Sequence, residues 1–514
     1  MEPFDPACSF TIRLRAKRAH HTLPACSLWC GRPARNGSIV GHPMTGVELT
    51  ALAPVLGVAA TSIVVMAVVA VRPNRLWNTT IAIAGLAGSF ALLFTAGSVS
   101  PCRVTPLLLV DGTALFFFGL IIATTAVVAV LAHAYLGRRG LENGEFLMLL
   151  LFATLGGCIL AASIHFASLF LGLEVLSVSL YAMIAYLRDT DTSLEAGVKY
   201  LILAAVSSAF LLFGMALVNA HTGDLGFAAL AGVEGSPVVL AGVALMLVGV
   251  GFKLALVPFH MWTADVYQGA PAPVTAFVAT VSKAAVVAVL LRLLSVAETP
   301  PPQLVWFMML LAAASIVVGN LLALRQDNLK RLLAYSSIAH LGYLMIAVIA
   351  GDGGSGAAVF YLVAYVPTTL AAFGVITVLS NEDREPDRLD DLLGLGARRP
   401  ALAGLLTAGL LSLAGIPLTA GFIGKFLVLR SGVGAGLWTL ALILVLGSVI
   451  SIFYYLRVVV AMYMRPAPEP SPELPAVPIG AAAVLAVLLA AILWLGVWPG
   501  PFLETVGTAM RSLY

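Results

Sequence analysis

The sequence predicts an all-α polytopic membrane protein with about fourteen transmembrane helices, on three observations. Of 514 residues, 60% are hydrophobic and only 10% charged, with a mean hydropathy of +1.01; a soluble domain of this length carries roughly a quarter of its residues charged. The apolar runs last about 20 residues, the length that crosses a bilayer as a helix, because lipid offers no partner to an open backbone group. They also lack the alternation over about ten residues that marks an outer-membrane barrel. The same counts exclude a disordered chain, a coiled coil and a nucleic-acid binder, since a net charge of +3 over this length is no electrostatic footprint.

Cutting the chain at charge clusters, Gly/Pro turns and polar runs yields fourteen segments, near 47–71, 79–98, 114–136, 146–163, 166–187, 198–220, 237–258, 272–295, 304–324, 332–350, 356–380, 400–429, 434–462 and 476–498. Some delimiters are plain, such as RQDNLKR (325–331) before the tenth span and PAPEPSPELP (466–475) before the last. The fourth and fifth spans are separated by little more than Ser163, Ile164 and His165.

Basic residues set the orientation. Fifteen of the 28 lie in or beside odd-numbered loops: Arg72, Arg75, Arg138, Arg139, Arg188, Lys199, Arg325, Lys330, Arg331, Arg384, Arg388, Arg398, Arg399, Arg457 and Arg465. Only Arg103, Arg292, Arg430 and Arg511 fall on the other side. The odd loops are therefore expected in the cytoplasm, with both ends of the helical core outside. Residues 1–43 oppose this, carrying six basic residues in a stretch with no signal-peptide pattern. A hydrophobic span begins just after Met44, and the expectation is that Met44 is the true start and that 1–43 is an artefact of the gene model.

An ionised group at the bilayer centre costs about 2.5–3.5 kcal/mol even on the permissive insertion scale, so an intramembrane charge is a functional candidate. Glu174, in FASLFLGLEVLSVSLY, is the one acid deep in an apolar run; Lys253, Lys283 and Lys425 are its basic counterparts, and Lys199 lies nearer a helix start. A lysine near a helix end can snorkel to water, and one lysine with one glutamate can make a structural lock. Three lysines against one glutamate leave an excess, which requires depressed proton affinities or water, and either permits proton exchange.

Lys253 stands five residues before Pro258, and Lys425 eight after Pro417. Proline opens a helix, and broken helices at membrane depth are tolerated where they line a hydrated or protein-filled cavity. Paired interruptions in two halves of a chain point to an inverted-repeat transporter; a plain structural kink is the alternative. His260 and His340 add groups able to titrate near neutral pH, although a lone His in apolar surroundings is more often a satisfied hydrogen-bonding residue. DVYQGAPAPVTAF (265–277) reads as a shaped connection between a broken helix and its neighbour.

The five cysteines have neither metal nor disulfide spacing, and there is no phosphate-binding loop, dinucleotide fingerprint or Ser/His/Asp constellation. No cofactor is expected in this chain.

The segments FKLALVPFHMWTADVYQGAPAPVTAFVATVSKAA (252–285) and NLLALRQDNLKRLLAYSSIAHLGYLM (320–345) resemble the antiporter-like subunits of the proton-pumping NADH:quinone oxidoreductase, respiratory complex I. LFLGLEVLSVSLYAMIAY (169–186), EAGVKYLILAAVSSAFLLFGMAL (195–217) and LLSLAGIPLTAGFIGKF (410–426) fit the same family, and the likeness runs from about Met44 to the C-terminus. It implies three leading helices in 44–140, two inverted five-helix repeats in 141–303 and 304–465 with broken helices 7 and 12, and a last helix in 466–514.

By motif, the resemblance implies that Glu174 and Lys253 form an ion pair on spans 5 and 7, that Lys283 is the central and Lys425 the distal proton relay, and that Lys199 is an accessory group near the cytoplasmic mouth; His260 is a weaker accessory candidate. It further implies a bacterial inner-membrane complex whose partner subunits carry NADH, flavin, iron–sulfur clusters and quinone, and whose membrane arm holds further antiporter-like subunits in the lipid bilayer. Two other readings remain at this point: a subunit of a multi-subunit cation/proton antiporter, and a purely structural membrane subunit.

Overall fold

The computed structural model describes residues 44–71, 74–231, 235–296, 300–382, 384–466 and 474–513. The tail 1–43, and with it the expectation about the start at Met44, lies outside the described residues.

Helices account for nearly all of what is described. In chain order they are α1 (Gly46–Val71), α2 (Arg75–Gly97), α3 (Gly112–Arg138), α4 (Gly144–Ala162), α5 (Phe166–Ile184), α6 (Asp191–Thr222), α7 (Pro237–Leu254), α8 (Thr263–Gly269), α9 (Ala272–Ser295), α10 (Pro302–Ala323), α11 (Leu329–Ile349), α12 (Asp352–Leu379), α13 (Pro400–Ala414), α14 (Ala420–Gly434), α15 (Trp438–Met464), α16 (Ile479–Val497) and α17 (Gly500–Met510). A small antiparallel hairpin, β1 (Cys102–Val104) with β2 (Leu108–Val110), precedes α3.

Thirteen of these helices are long and apolar enough to cross a membrane. The fourteenth crossing is the broken pair α13 and α14, each 15 residues and too short alone. The expected span 400–429 is thus two half-helices. Its first half ends on Gly415 at φ +84°, and Leu418 at φ +73° turns the chain before the second. The seventh span breaks in the same way, ending at Leu254 on a left-handed Ala255 (φ +61°) rather than running to residue 258, and resuming as α8. A left-handed residue ends a helix because it turns the next amide back toward the last carbonyls. Side chains complete the job: Trp262 Nε1 donates to the Phe252 carbonyl at 3.0 Å, and the Val257 amide donates to Ser315 Oγ at 2.9 Å.

The 265–277 stretch is mostly helical rather than a connecting loop; only Ala270 and Pro271 separate α8 from α9. The helix α6 begins at Asp191, seven residues before the expected 198, which puts Lys199 two turns inside it.

Helices α9 and α12 are buried along their best spanning windows and α11 nearly so, forming the core around which the others pack. Close approach is obtained locally with glycine: a Cβ on Gly156 of α4 would lie 2.6 Å from the Leu176 amide of α5. The outer faces of α5, α6, α15 and α16 expose large apolar side chains such as Leu171, Phe213, Phe453 and Val487, as a chain surrounded by lipid or by other apolar subunits requires.

Candidate functional site

All three intramembrane lysines are buried within the protein rather than snorkelling to its ends, with Lys253 2%, Lys283 0% and Lys425 7% exposed. Among the described residues none of them forms an ion pair. Their positive charge is instead met by hydroxyls, carbonyls and aromatic faces.

The implied contact between Glu174 and Lys253 is not made. Lys253 Nζ, in the last turn of α7, donates to Ser177 Oγ at 2.6 Å and to Tyr200 OH at 3.2 Å. Glu174 is half-buried on α5, one turn before Ser177, and its Oε1 accepts from Ser208 Oγ of α6 at 2.6 Å. The carboxylate sits on the flank of α5 shared with exposed Leu171 and Val178, while Ser177 faces the interior where α7 ends. Lys253 therefore meets the serine one turn along from the carboxylate rather than the carboxylate itself.

Lys283 follows directly on a single π-helical turn, Val278–Ser282, inside α9. Such a turn widens the helix and rotates the side chains after it, a distortion often found at functional positions. Lys283 Nζ donates to Ser337 Oγ of α11, which exchanges a 2.6 Å hydrogen bond with Tyr365 OH of α12. His340, one turn beyond Ser337, bonds Tyr361 OH at 2.6 Å through Nδ1 and Tyr455 OH at 3.1 Å through Nε2. Its ring centroid lies 5.7 Å from that of Tyr365 and 5.6 Å from that of Tyr343. A small cavity of about 10 Å³, lined by His340, Tyr361, Tyr365, Thr368 and Ser412, adjoins this cluster.

Lys425 lies in the second half of the broken twelfth span, and its Nζ donates to the Ala414 carbonyl at 2.9 Å. That carbonyl ends α13, so the ammonium meets the negative end of a helix dipole. One regularity joins the three sites: Lys253 lies 5.1 Å from the Tyr200 ring centroid, Lys283 5.7 Å from that of Tyr267 and Lys425 5.2 Å from that of Tyr343. A desolvated cation over an aromatic face recovers about 2 kcal/mol of what burial removes. Between Lys253 and Lys283 run the rings of Tyr200, Trp262 and Tyr267, with successive centroids 4.9 and 6.5 Å apart.

Lys199 sits at the rim, held by Glu195 at 2.6 Å and Asp265 at 2.8 Å; Asp265 also binds Arg331 at 2.7 Å. His260 is half-buried in the break between α7 and α8 and bonds none of the lysines.

Two buried ion pairs escape the sequence reading. Arg292, expected in an outer loop, is buried at the end of α9 and grips Asp111 at 2.8 and 2.9 Å. Lys330, expected among the loop basics, is equally buried, with Nζ 2.6 Å from both Glu385 Oε2 and the Ala270 carbonyl. Burial pushes the Glu385 carboxyl up, and the Lys330 ammonium, the Tyr135 hydroxyl and the Ala272 amide together pull it further down, leaving it below the usual carboxylate value. Nothing marks Glu385 within NEDREPD, where solvated and buried acids look alike.

Buried amines without a carboxylate partner among the described residues, on the two broken spans and on the enclosed α9 between them, mark a polytopic membrane subunit that keeps charge at membrane depth. The family model described as NADH:quinone oxidoreductase/Mrp antiporter, TM, matches residues 163–451, a region that contains every one of the buried lysines and Glu174. A curated relative, NADH-quinone oxidoreductase subunit N of Ectopseudomonas mendocina (strain ymp), is 48% identical over 483 residues, 90% of this chain and 97% of that protein. A chain of respiratory complex I from Thermus thermophilus with bound aureothin superposes with a TM-score of 0.77 at 37% identity, covering 88% of this chain and 98% of that one. A chain of the Mrp complex from Dietzia sp. DQ12-45-1b shares the fold at a TM-score of 0.80 with 21% identity, over 92% of this chain and 98% of that one. The chain belongs to the antiporter-like membrane-subunit family of NADH:quinone oxidoreductase and Mrp antiporters, in the branch of subunit N.

Proposed function

We propose that this chain is a membrane-arm subunit of a bacterial NADH:quinone oxidoreductase and carries protons across the inner membrane through Lys253, Lys283 and Lys425, with Glu174 setting the charge state of Lys253. Its partners are the other membrane-arm subunits, further antiporter-like ones among them. The chain has no redox role of its own; NADH, flavin, iron–sulfur clusters and quinone belong to partner subunits, whose reaction supplies the energy. The relay spans two inverted repeats, 141–303 and 304–465, flanked by 44–140 and 466–514, with the odd loops and Lys199 on the cytoplasmic side and both ends of the helical core outside.

The observation that carries this reading is the absence of an ion pair on any of the three buried lysines among the described residues. An ammonium fixed by a carboxylate is a lock, whereas one held by hydroxyls and ring faces changes its proton affinity with small changes in its neighbours. When Glu174 turns toward Lys253 the ammonium is fixed; with Glu174 on Ser208, only hydroxyls and ring faces hold it, and its proton is free to move on. It then passes over hydroxyls and water to Lys283, Ser337, the His340 cluster and Lys425. His260 and Lys199 assist at the first break and at the rim.

The test is Lys253→Met in the assembled complex, assayed in inverted membrane vesicles. NADH-driven proton uptake is expected to vanish while the complex still assembles. Wild-type uptake in that variant removes Lys253 from the relay.

A further inference from the structure

A charged cavity of about 980 Å³ opens between the odd-numbered loops and is unused by the relay as described so far. Its walls carry Arg139, Glu142, Glu145, Arg188 and Asp387, and Lys330 and Glu385 line it as well. That pair is nearly closed to water, with side-chain exposures of 1% for Lys330 and 13% for Glu385. It also fastens both sides of the short connection between α8 and α9: Lys330 holds the Ala270 carbonyl, and Glu385 accepts from the Ala272 amide at 2.9 Å.

Just beyond the pair lies a second, independent feature. Tyr267, three residues before Ala270 on α8, is fully buried, and its hydroxyl is directed to Ser337, the serine that Lys283 binds, without completing a well-formed hydrogen bond. The Tyr267 ring is the one that faces the Lys283 ammonium. Lys330 and Ser337, the hydrogen-bond partner of Lys283, share one face of α11 seven residues apart, about 10 Å at 1.5 Å per residue. Two or three water molecules span such a distance.

We propose that this vestibule is a proton entrance serving Lys283, with the Lys330–Glu385 pair as its loading group and the Tyr267 hydroxyl as the step inward. The inference rests on the relay reading and assigns to Lys283 a mouth separate from the Lys199–Asp265–Arg331 cluster at the rim. In the closed form seen here the two charges neutralise each other. When Glu385 swings into the vestibule, Lys330 is left as a buried, uncompensated ammonium and gives its proton inward, past Tyr267, to the neutral amine of Lys283. As Glu385 swings back it remains a carboxylate and raises the proton affinity of the Lys330 amine, which takes a proton from the vestibule water and restores the ion pair. One proton leaves the vestibule for each one delivered to Lys283, and no other group changes its state.

The experiment uses the whole complex in inverted vesicles, which in the proposed orientation present the odd-loop side to the medium. Tyr267→Phe keeps the ring and deletes the hydroxyl. Glu142→Cys, on the vestibule wall, is reacted with a bulky membrane-impermeant maleimide, with the treated wild-type complex as the reference. Both are expected to slow NADH-driven proton uptake roughly tenfold, the effect of removing a hydrogen-bonded step, with assembly unchanged. If both pump at the reference rate while Lys283→Met abolishes uptake, the entrance lies elsewhere and the proposal is overturned, though the relay stands. If Lys283→Met itself pumps normally, the relay reading falls and the entrance with it.

Discussion

Lys253 and Glu174 each bond a serine rather than one another: the ammonium meets Ser177 at 2.6 Å and the carboxylate meets Ser208 at 2.6 Å. Ser177 lies three residues after Glu174 on α5, so a small rotation of that helix or of the glutamate side chain changes which partner the lysine sees. The hydroxyl is the resting partner, and the carboxylate stands one turn away as the alternative.

Ser177→Ala should expose this. A hydrogen bond to a charged group is worth about 1.5–3 kcal/mol, and without it Lys253 keeps only the longer bond to Tyr200. Proton uptake is expected to drop about tenfold, since 1.4 kcal/mol is a factor of ten, and Ser177→Thr should restore most of it. Equal uptake in the alanine and threonine variants would show that the hydroxyl takes no part.

Arg292→Leu tests the buried pair at the end of α9. It leaves the Asp111 carboxylate 1% exposed with no counter-charge, a loss of about 3–5 kcal/mol. The variant complex is expected to melt at lower temperature or fail to assemble, and adding Asp111→Asn should recover part of the loss. A double variant no better than the single one would sink the idea that the stranded charge is the cause.

Gly415→Ala acts on the twelfth span. At φ +84° a side chain costs about 1–2 kcal/mol, and the new Cβ would lie 2.9 Å from Lys425 Cδ and 3.5 Å from its Nζ. Uptake is expected to fall sharply with the complex still assembled. Gly404→Ala, on α13, meets no atom within 4 Å and serves as the control.

The docking of the 384–391 loop should depend on pH in one direction. Glu385 has its carboxyl held below the usual range in the folded protein, so the stabilisation is fully present above about pH 4.3, the ordinary glutamate value, and is lost as pH falls through the lower folded value. Hydrogen exchange of the loop should stay slow at neutral pH and rise only below the carboxylate range. Glu385→Gln should make it fast throughout; slow exchange at neutral pH in that variant would remove Lys330–Glu385 as the fastening.

Much of the fold is legible in the sequence because lipid imposes it. The expected span 272–295 coincides with α9, and Ser163–His165 does separate α4 from α5, since an apolar run of fixed length has no alternative to a helix in a bilayer. The breaks are only half legible: prolines mark their neighbourhoods, but Ala255 and Leu418 adopt left-handed backbone with no residue-type signal at all. Lys330 and Arg292 fail for another reason. Both stand at helix ends, where a basic side chain ordinarily reaches water, and only the approach of Glu385 and Asp111 from distant segments buries them.

By itself the sequence determined that the chain lives in the membrane, where most of its unbroken helices lie, and which three lysines and one glutamate lie at costly depth. These follow from hydrophobicity and length, which are local properties. Tertiary structure alone decided what each charge meets: a serine and a ring for Lys253, a serine and a ring for Lys283, a helix end and a ring for Lys425. Partners in a buried site come from helices up to a hundred or more residues apart in the chain, and their distances depend on packing, which no single segment encodes.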